Sequence, residues 1–170
     1  MTPEDLCKSG SEFGEQSALF AWANSGDTRR RFPHFFDAPR DGETVGRCKM
    51  YSTNNNAGVS EKTEEGRKTA AIRGARAKQI GLKPGVADIF LPLALHGCHG
   101  LFIELKIDPT HPENQRTGKK GQAIAAKAGT VSDAQWSFGR EVQRDGFGWA
   151  VAEGWKQAAA IIIAYLTDSN

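Results

Sequence analysis

The sequence predicts an α/β fold: a central mixed sheet flanked by helices, with elements in the order α β α β β α β α. Three observations carry this. The stretch from Gly85 to Ile107, GVADIFLPLALHGCHGLFIELKI, has two apolar runs, Val86 to Leu93 and Leu101 to Ile107, on either side of a Gly-rich turn, which is the pattern of a hairpin. Upstream, SEFGEQSALFAWANSG has the periodicity of a helix. Downstream, a helix start at Ser132, the apolar run FGWAVA and the segment EGWKQAAAIIIAYL supply a helix, a strand and a closing helix.

In chain order, residues 1–11 read as a tail. A helix begins at Ser11, with Phe13, Leu19, Phe20 and Ala23 on one broad apolar stripe and Asn24, Ser25 and Gly26 as its stop. The first strand is expected from about His34 to Ala38, entered by Pro33. Residues 41–65 are rich in Gly, Asn, Ser, Thr and charge and read as a loop insertion. An Ala-, Arg- and Lys-rich helix is expected from Thr63 or Gly66 to Ile80, ended by Gly81. Past the hairpin, residues 108–131, with Pro109 and Pro112, read as a second insertion. Ser132 to Gln135 has the S-x-x-Q spacing of a capping box, opening a helix with Ala134, Phe138 and Val142 on its apolar stripe and Gly146 at its end. FGWAVA reads as a buried strand, and Trp149, Trp155 and Tyr165 as core or interface residues. The 170 residues fit one domain.

The hairpin holds the chemistry. Alternate residues of a strand share a face, so Phe102, Glu104 and Lys106 point one way and Leu101, Ile103, Leu105 and Ile107 the other. His96 is midway between Asp88 and Glu104, so pairing about the Gly-rich turn sets these two acids opposite each other, with Lys106 beside them. Like charges facing across a sheet destabilise it unless something neutralises them. A Mg2+ ion, typically held by one or two carboxylates with waters and substrate phosphate oxygens, suits such a pair. Without Asp88 in register, Glu104 and Lys106 fit equally the solvated face of an amphipathic strand.

GVADIFLP, a short turn and GLFIELK together resemble the PD-(D/E)XK nuclease superfamily, in particular its VRR-NUC branch. Asp88 matches the motif's aspartate, and Glu104 and Lys106 its E-x-K; Ala87 stands where proline is usual. GEQSALFAWA is similar to the family's N-terminal helix, and SDAQ, DGFGWAVAEGWKQA and IIAYL to its closing helix, strand and helix. The resemblance implies a restriction-endonuclease-like core and Mg2+- or Mn2+-dependent hydrolysis of DNA phosphodiesters. Asp88 and Glu104 would bind the metal with Glu15 and the carbonyl of Leu105, Lys106 would be catalytic, and Gln135 would lie close to the centre. Spacing alone explains Glu15 as a first-turn acid and Gln135 as a capping residue. Pro39 matches the family, whereas Arg40 replaces its usual asparagine. Stand-alone relatives are commonly encoded by phages and bacteria, and some are homodimers that resolve Holliday junctions. A DNA-binding module without catalysis and a structural phage protein retaining the fold are the rival readings.

Composition sets the outer limits. Hydrophobic residues make up 39%, and the longest apolar run, AAAIIIAYL, is too short for a bilayer span. MTPEDLCKSG carries acids and no apolar segment, against a signal peptide, so a cytoplasmic protein is expected. Cys7, Cys48 and Cys98 are odd in number and widely spaced, against a disulfide framework. His96, Cys98 and His99 lack the second ligand pair of a zinc site, and no G-x-x-x-x-G-K-[ST] motif supports an ATP-driven enzyme. Net charge is only +2, but its distribution is uneven. Arg67, Lys68, Arg73, Arg76, Lys78 and Lys83 fall in an acid-free segment, and the second insertion carries Arg116, Lys119, Lys120 and Lys127. Both segments suit contact with DNA phosphates, or simple solvation.

Overall fold

The computed structural model describes residues 1–53, 72, 79, 81, 83–110, 116–117, 123–124 and 129–167. The expected hairpin is at its centre: β2 (Ile89–Leu91) and β3 (Leu101–Lys106) pair antiparallel, Ile89 with Ile103 and Leu91 with Leu101. At the turn, Leu95 and Cys98 bridge while His96 and Gly97 take φ of 52° and 76°, the left-handed pair that joins twisted strands tightly. β1 (Tyr51–Ser52) extends the sheet antiparallel to β2, and β6 (Gly148–Glu153) extends it parallel to β3. The result is a mixed four-stranded sheet in the order β1-β2-β3-β6.

Alternation along β3 decides what covers each face. Leu101, Ile103 and Leu105 are buried in one cluster with Leu19 and Ala23 of α2 (Glu12–Ala23) and Ala158 and Ile162 of α5 (Gly154–Thr167). On the opposite face Phe102 meets Phe138 of α4 (Asp133–Arg144), ring centroids 5.2 Å apart. Gly139 of α4 lies so close to β6 that a Cβ there would fall 2.5 Å from the Trp149 ring. Helices therefore flank both faces, with α4 crossing over to bring β6 parallel to β3.

The helix expected from Ser11 starts there, with Ser11 as its cap, and the capping box expected at Ser132 is present and reciprocal with Gln135. Other expectations need correction. Residues 1–11 are not a tail: Pro3–Cys7 form α1, capped by Thr2 and Asp5, with Cys7 buried. Thr-Pro-Glu-Asp is itself a helix start, with Pro in the first turn and acids near the positive dipole end. No strand spans His34 to Ala38; after α3 (Gly26–Arg31), Pro33–Phe35 make a 3-10 turn, and Phe36 alone bridges to Cys48. The outer strand is instead Tyr51–Ser52, within the segment read as an insertion, where Cys48 and Met50 join the core. In the second insertion Arg116–Thr117 (β4) and Ala123–Ile124 (β5) pair as an antiparallel ribbon.

Phe13 is 80% exposed rather than part of the α2 stripe, which runs through Glu15, Ala18, Leu19 and Ala23. At 3.6 residues per turn, a position two before Glu15 falls on the far side of the helix. Ala134 is likewise exposed on α4, whose buried side is Gly139 and Val142. β6 is half-buried because it is the sheet edge. Of the helix expected to end at Ile80, Ile72 and Gln79 are described, and both are helical. Among the described residues no helix is long and apolar enough to cross a membrane.

Candidate active site

Extending the β2–β3 register by one pair sets Asp88 opposite Glu104, as the sequence predicts. Asp88 is fixed on two sides: its Oδ2 accepts the Leu105 N–H at 2.9 Å, and its carbonyl accepts the Thr53 N–H at 2.9 Å. Thr53 also holds the preceding residue, its hydroxyl donating to the Ala87 carbonyl. Ala87, in the place of the usual proline, is fully buried.

Glu104 and Lys106 belong to the charged face of β3, yet both are buried, at 1% and 7% exposure. Lys106 Nζ donates to Glu104 Oε1 at 2.6 Å. Burying this pair is tolerable only if further bonds complete it, and the first turn of α4 provides them. Gln135 Nε2 donates to Glu104 Oε1, while Gln135 Oε1 accepts from Ser132 N at 2.8 Å and faces Lys106 Nζ at 3.4 Å. One amide thus caps α4 and clamps the carboxylate–lysine pair. Gln135 is thus both the cap of α4 and a hydrogen-bonded neighbour of Glu104.

Glu104 Oε2 remains. It is one of two buried side-chain atoms among the described residues that lack a hydrogen-bond partner, the other being Trp149 Nε1. Burial pushes the Glu104 carboxyl up to about 7, with the Asp88 charge adding to the rise and Lys106 opposing it. Burial raises Asp88 as well, against the pull of the Leu105 N–H and of Lys106. The site therefore holds more negative charge than its own hydrogen bonds neutralise, which is the condition for taking up a cation or a proton.

A cavity of about 150 Å³ opens over these groups, lined by Asp88, Glu104, Lys106, Gln135, Ser132, Gly85 and Val86, and also by Glu12. Glu12 carries no distinguishing signal in the sequence: it follows the α2 cap, where any acid is favoured, and lies three residues before Glu15. Glu15 is not with this group. It is 1% exposed, its Oε2 accepts the Trp155 N–H at 2.8 Å, and it lines a separate cavity with Cys7, Asp108 and Trp155. Glu15 ties α2 to α5, whereas Glu12 faces the chemistry. Lys83 is exposed, two residues before the cavity wall at Gly85. Arg116 lies in β4, and Arg67, Lys68, Arg73, Arg76, Lys78, Lys119, Lys120 and Lys127 lie outside the described residues.

The His96, Cys98 and His99 segment is occupied otherwise: His96 Nε2 is 2.9 Å from the Tyr165 carbonyl and His99 packs on Phe147. Among the described residues no three His, Cys, Asp or Glu side chains converge as a preformed metal cage. A buried carboxylate, a half-buried one facing it and a third at the cavity wall fit instead the sparse protein ligation typical of Mg2+.

No family model and no curated protein matches the chain. Among solved structures, a protein described as "VRR_NUC domain protein" is similar over 91% of this chain and 87% of its own, with a TM-score of 0.53 and 18% identity. The mixed sheet, its flanking helices and this likeness together establish a restriction-endonuclease-like α/β fold.

Proposed function

We propose that the protein is a Mg2+- or Mn2+-dependent deoxyribonuclease that hydrolyses phosphodiester bonds. The observation that carries this reading is the facing pair of acids, half-buried Asp88 and buried Glu104, with Lys106 bonded to one oxygen of Glu104 and the other oxygen left unpartnered. An all-oxygen donor set with an orphaned buried carboxylate atom fits a hard divalent cation. Asp88 and Glu104 would hold it, with Glu12 and the Leu105 carbonyl as further oxygen donors. The bound cation would supply Lewis-acid polarisation and charge neutralisation at the phosphate.

The chain's own groups do the rest. The Lys106 ammonium has three donors, of which Glu104 and Gln135 occupy two directions, leaving one for an attacking water or a phosphate oxygen. From that position it orients the water and offsets negative charge as the pentavalent state forms. Gln135, anchored to Ser132, keeps the ammonium from swinging out of line. Asp88, held by Leu105 and Thr53, fixes the opposite wall. Branched DNA such as a Holliday junction is the substrate we favour, cut by a homodimer whose two-fold axis matches the symmetry of the junction.

Cleavage of a labelled four-way junction and its matched linear duplex, in Mg2+, Mn2+ or chelator, tests the reading against Lys106→Ala. The expected result is metal-dependent cutting that falls by about 10²–10³-fold in the variant. DNA binding without cleavage in either metal would make the protein a binding module; neither binding nor cleavage would leave a structural role.

A further inference from the structure

A lysine side chain is a flexible four-carbon stem ending in a rotatable ammonium, so hydrogen bonds at its head alone do not fix where it lies. Lys106 is bonded at the head by Glu104 and faced there by Gln135. Its stem is met from a further direction. Gly129 lies so close that a Cβ built on it would be 3.3 Å from Lys106 Cδ and 3.9 Å from Glu12 Oε1. The first distance is tighter than carbon atoms ordinarily keep, and the second is ordinary van der Waals contact. Any side chain at 129 would therefore press on the lysine stem and touch the Glu12 carboxylate.

The glycine is not there for a turn. Its φ lies outside the left-handed region, and among the described residues only Lys106 and Glu12 come within 4 Å of the position a Cβ would take. What its missing side chain provides is room for those two groups. Gly129 also begins a short strap that reaches the lysine a second time. Three residues on, Ser132 donates its N–H to Gln135 Oε1, the atom that faces Lys106 Nζ at 3.4 Å. Residues 129–132 thus meet the lysine at its stem directly and at its head through Gln135. The ammonium has two carboxylates to choose between on this side of the sheet: Glu104 and Glu12 line one cavity with it, and it is bonded to Glu104.

We infer that Gly129 is a positioning residue for Lys106: its bare backbone seats the lysine stem so that the ammonium stays with Glu104 and Gln135 and does not cross to Glu12. This rests on the nuclease reading for the task the ammonium performs, and it makes the reaction depend on a position that carries no functional group. An ammonium paired with Glu12 is lost to the attacking water, and the same pairing takes Glu12 from the cation. A methyl group at 129 forces the stem to give by a few tenths of an ångström, and the short bond from Nζ to Glu104 takes up that shift. Small misplacements of a reacting group are costly in rate because its alignment is what binding has already fixed.

The test compares full-length wild type with Gly129→Ala, and with Thr130→Ala as a control at the exposed neighbouring position. Labelling of the metal-free protein by acetic anhydride, read by peptide mass mapping, reports how firmly Lys106 is held, with exposed Lys83 as the internal standard. Melting temperature, its rise with Mg2+, and kcat and KM on the four-way junction are measured alongside. In Gly129→Ala, Lys106 is expected to label several times faster relative to Lys83, while the melting temperature and the response to Mg2+ stay as in the wild type. Its kcat is expected to fall about tenfold with KM little changed. Thr130→Ala should match the wild type throughout. Unchanged labelling of Lys106 overturns the assignment, as does unchanged kcat in a protein that cleaves. So does a Gly129→Ala protein that loses its melting temperature and Mg2+ response together with kcat, since that is general packing. Wild type that cuts no DNA in either metal defeats the nuclease reading, and the labelling of Lys106 then decides the positioning by itself.

Discussion

At the scale of single residues, the site turns on carboxylates that sequence spacing does not separate. Glu12 and Glu15 are both first-turn acids of α2, yet the offset of about 60° between positions three apart on a helix sends Glu12 to the cavity and Glu15 to the α5 backbone. Glu12→Gln is expected to weaken Mg2+ affinity about tenfold or more with the melting temperature kept. Glu15→Ala, which orphans the buried Trp155 N–H, is expected to cost about 1–3 kcal/mol in denaturant titration. Glu104 has a different signature. With its carboxyl raised to about 7, the metal-free fold retains a proton that the unfolded chain, near its ordinary 4.5, has already released. The unfolded state binds fewer protons across that window, so stability is full below it and declines as pH rises through about 7. Melting in chelator at pH 5 and pH 8 checks this: wild type should lose stability at the higher pH, and Glu104→Gln should flatten that loss.

At the scale of elements, the legibility of the sequence follows the range of the forces. The β2–β3 hairpin and the α4 cap were readable because alternation, a Gly-rich turn and an S-x-x-Q box are local, and they fixed Asp88, Glu104, Lys106 and Gln135 in the right neighbourhood. Tyr51–Ser52 was unreadable: two residues carry no periodicity, and the strand exists because β2 offers it an edge. Phe13 falls off the stripe because its angular offset on the helix outweighs its hydrophobicity, and Glu12 carries no signal of its own because a helix N-terminus accounts for any acid. Gly85 shows how tightly the parts are joined. With φ of +83° and a hypothetical Cβ 2.4 Å from the Ala134 carbonyl carbon, it lets the chain entering Asp88 press against the first turn of α4. Gly85→Ala is expected to destabilise the protein by about 1–3 kcal/mol in a denaturant titration and to lower cleavage beyond what stability explains, since the same clash moves Gln135.

At the scale of the whole molecule, the site is a strain that the rest of the fold absorbs. α2, α4 and the sheet meet at half-buried Asp88 and the buried Glu104–Lys106 pair, so a ligand cation that binds only the folded chain would stabilise all of these elements at once. Adding Mg2+ or Mn2+ should therefore raise the melting temperature in a concentration-dependent way, and Asp88→Asn with Glu104→Gln should abolish the rise. The turn at His96 and Gly97 bears on the molecule's capacity to vary. Its two left-handed residues join the hairpin far along the strands from the acids, yet the pairing of Asp88 with Glu104 is counted from that turn. Side-chain direction in a strand has a period of two, so gain or loss of one residue there either breaks the facing of the acids or turns one of them into the apolar core. A short connection far from the acids thus sets their facing, and a one-residue insertion or deletion there should disturb the site as much as a change in β3 itself.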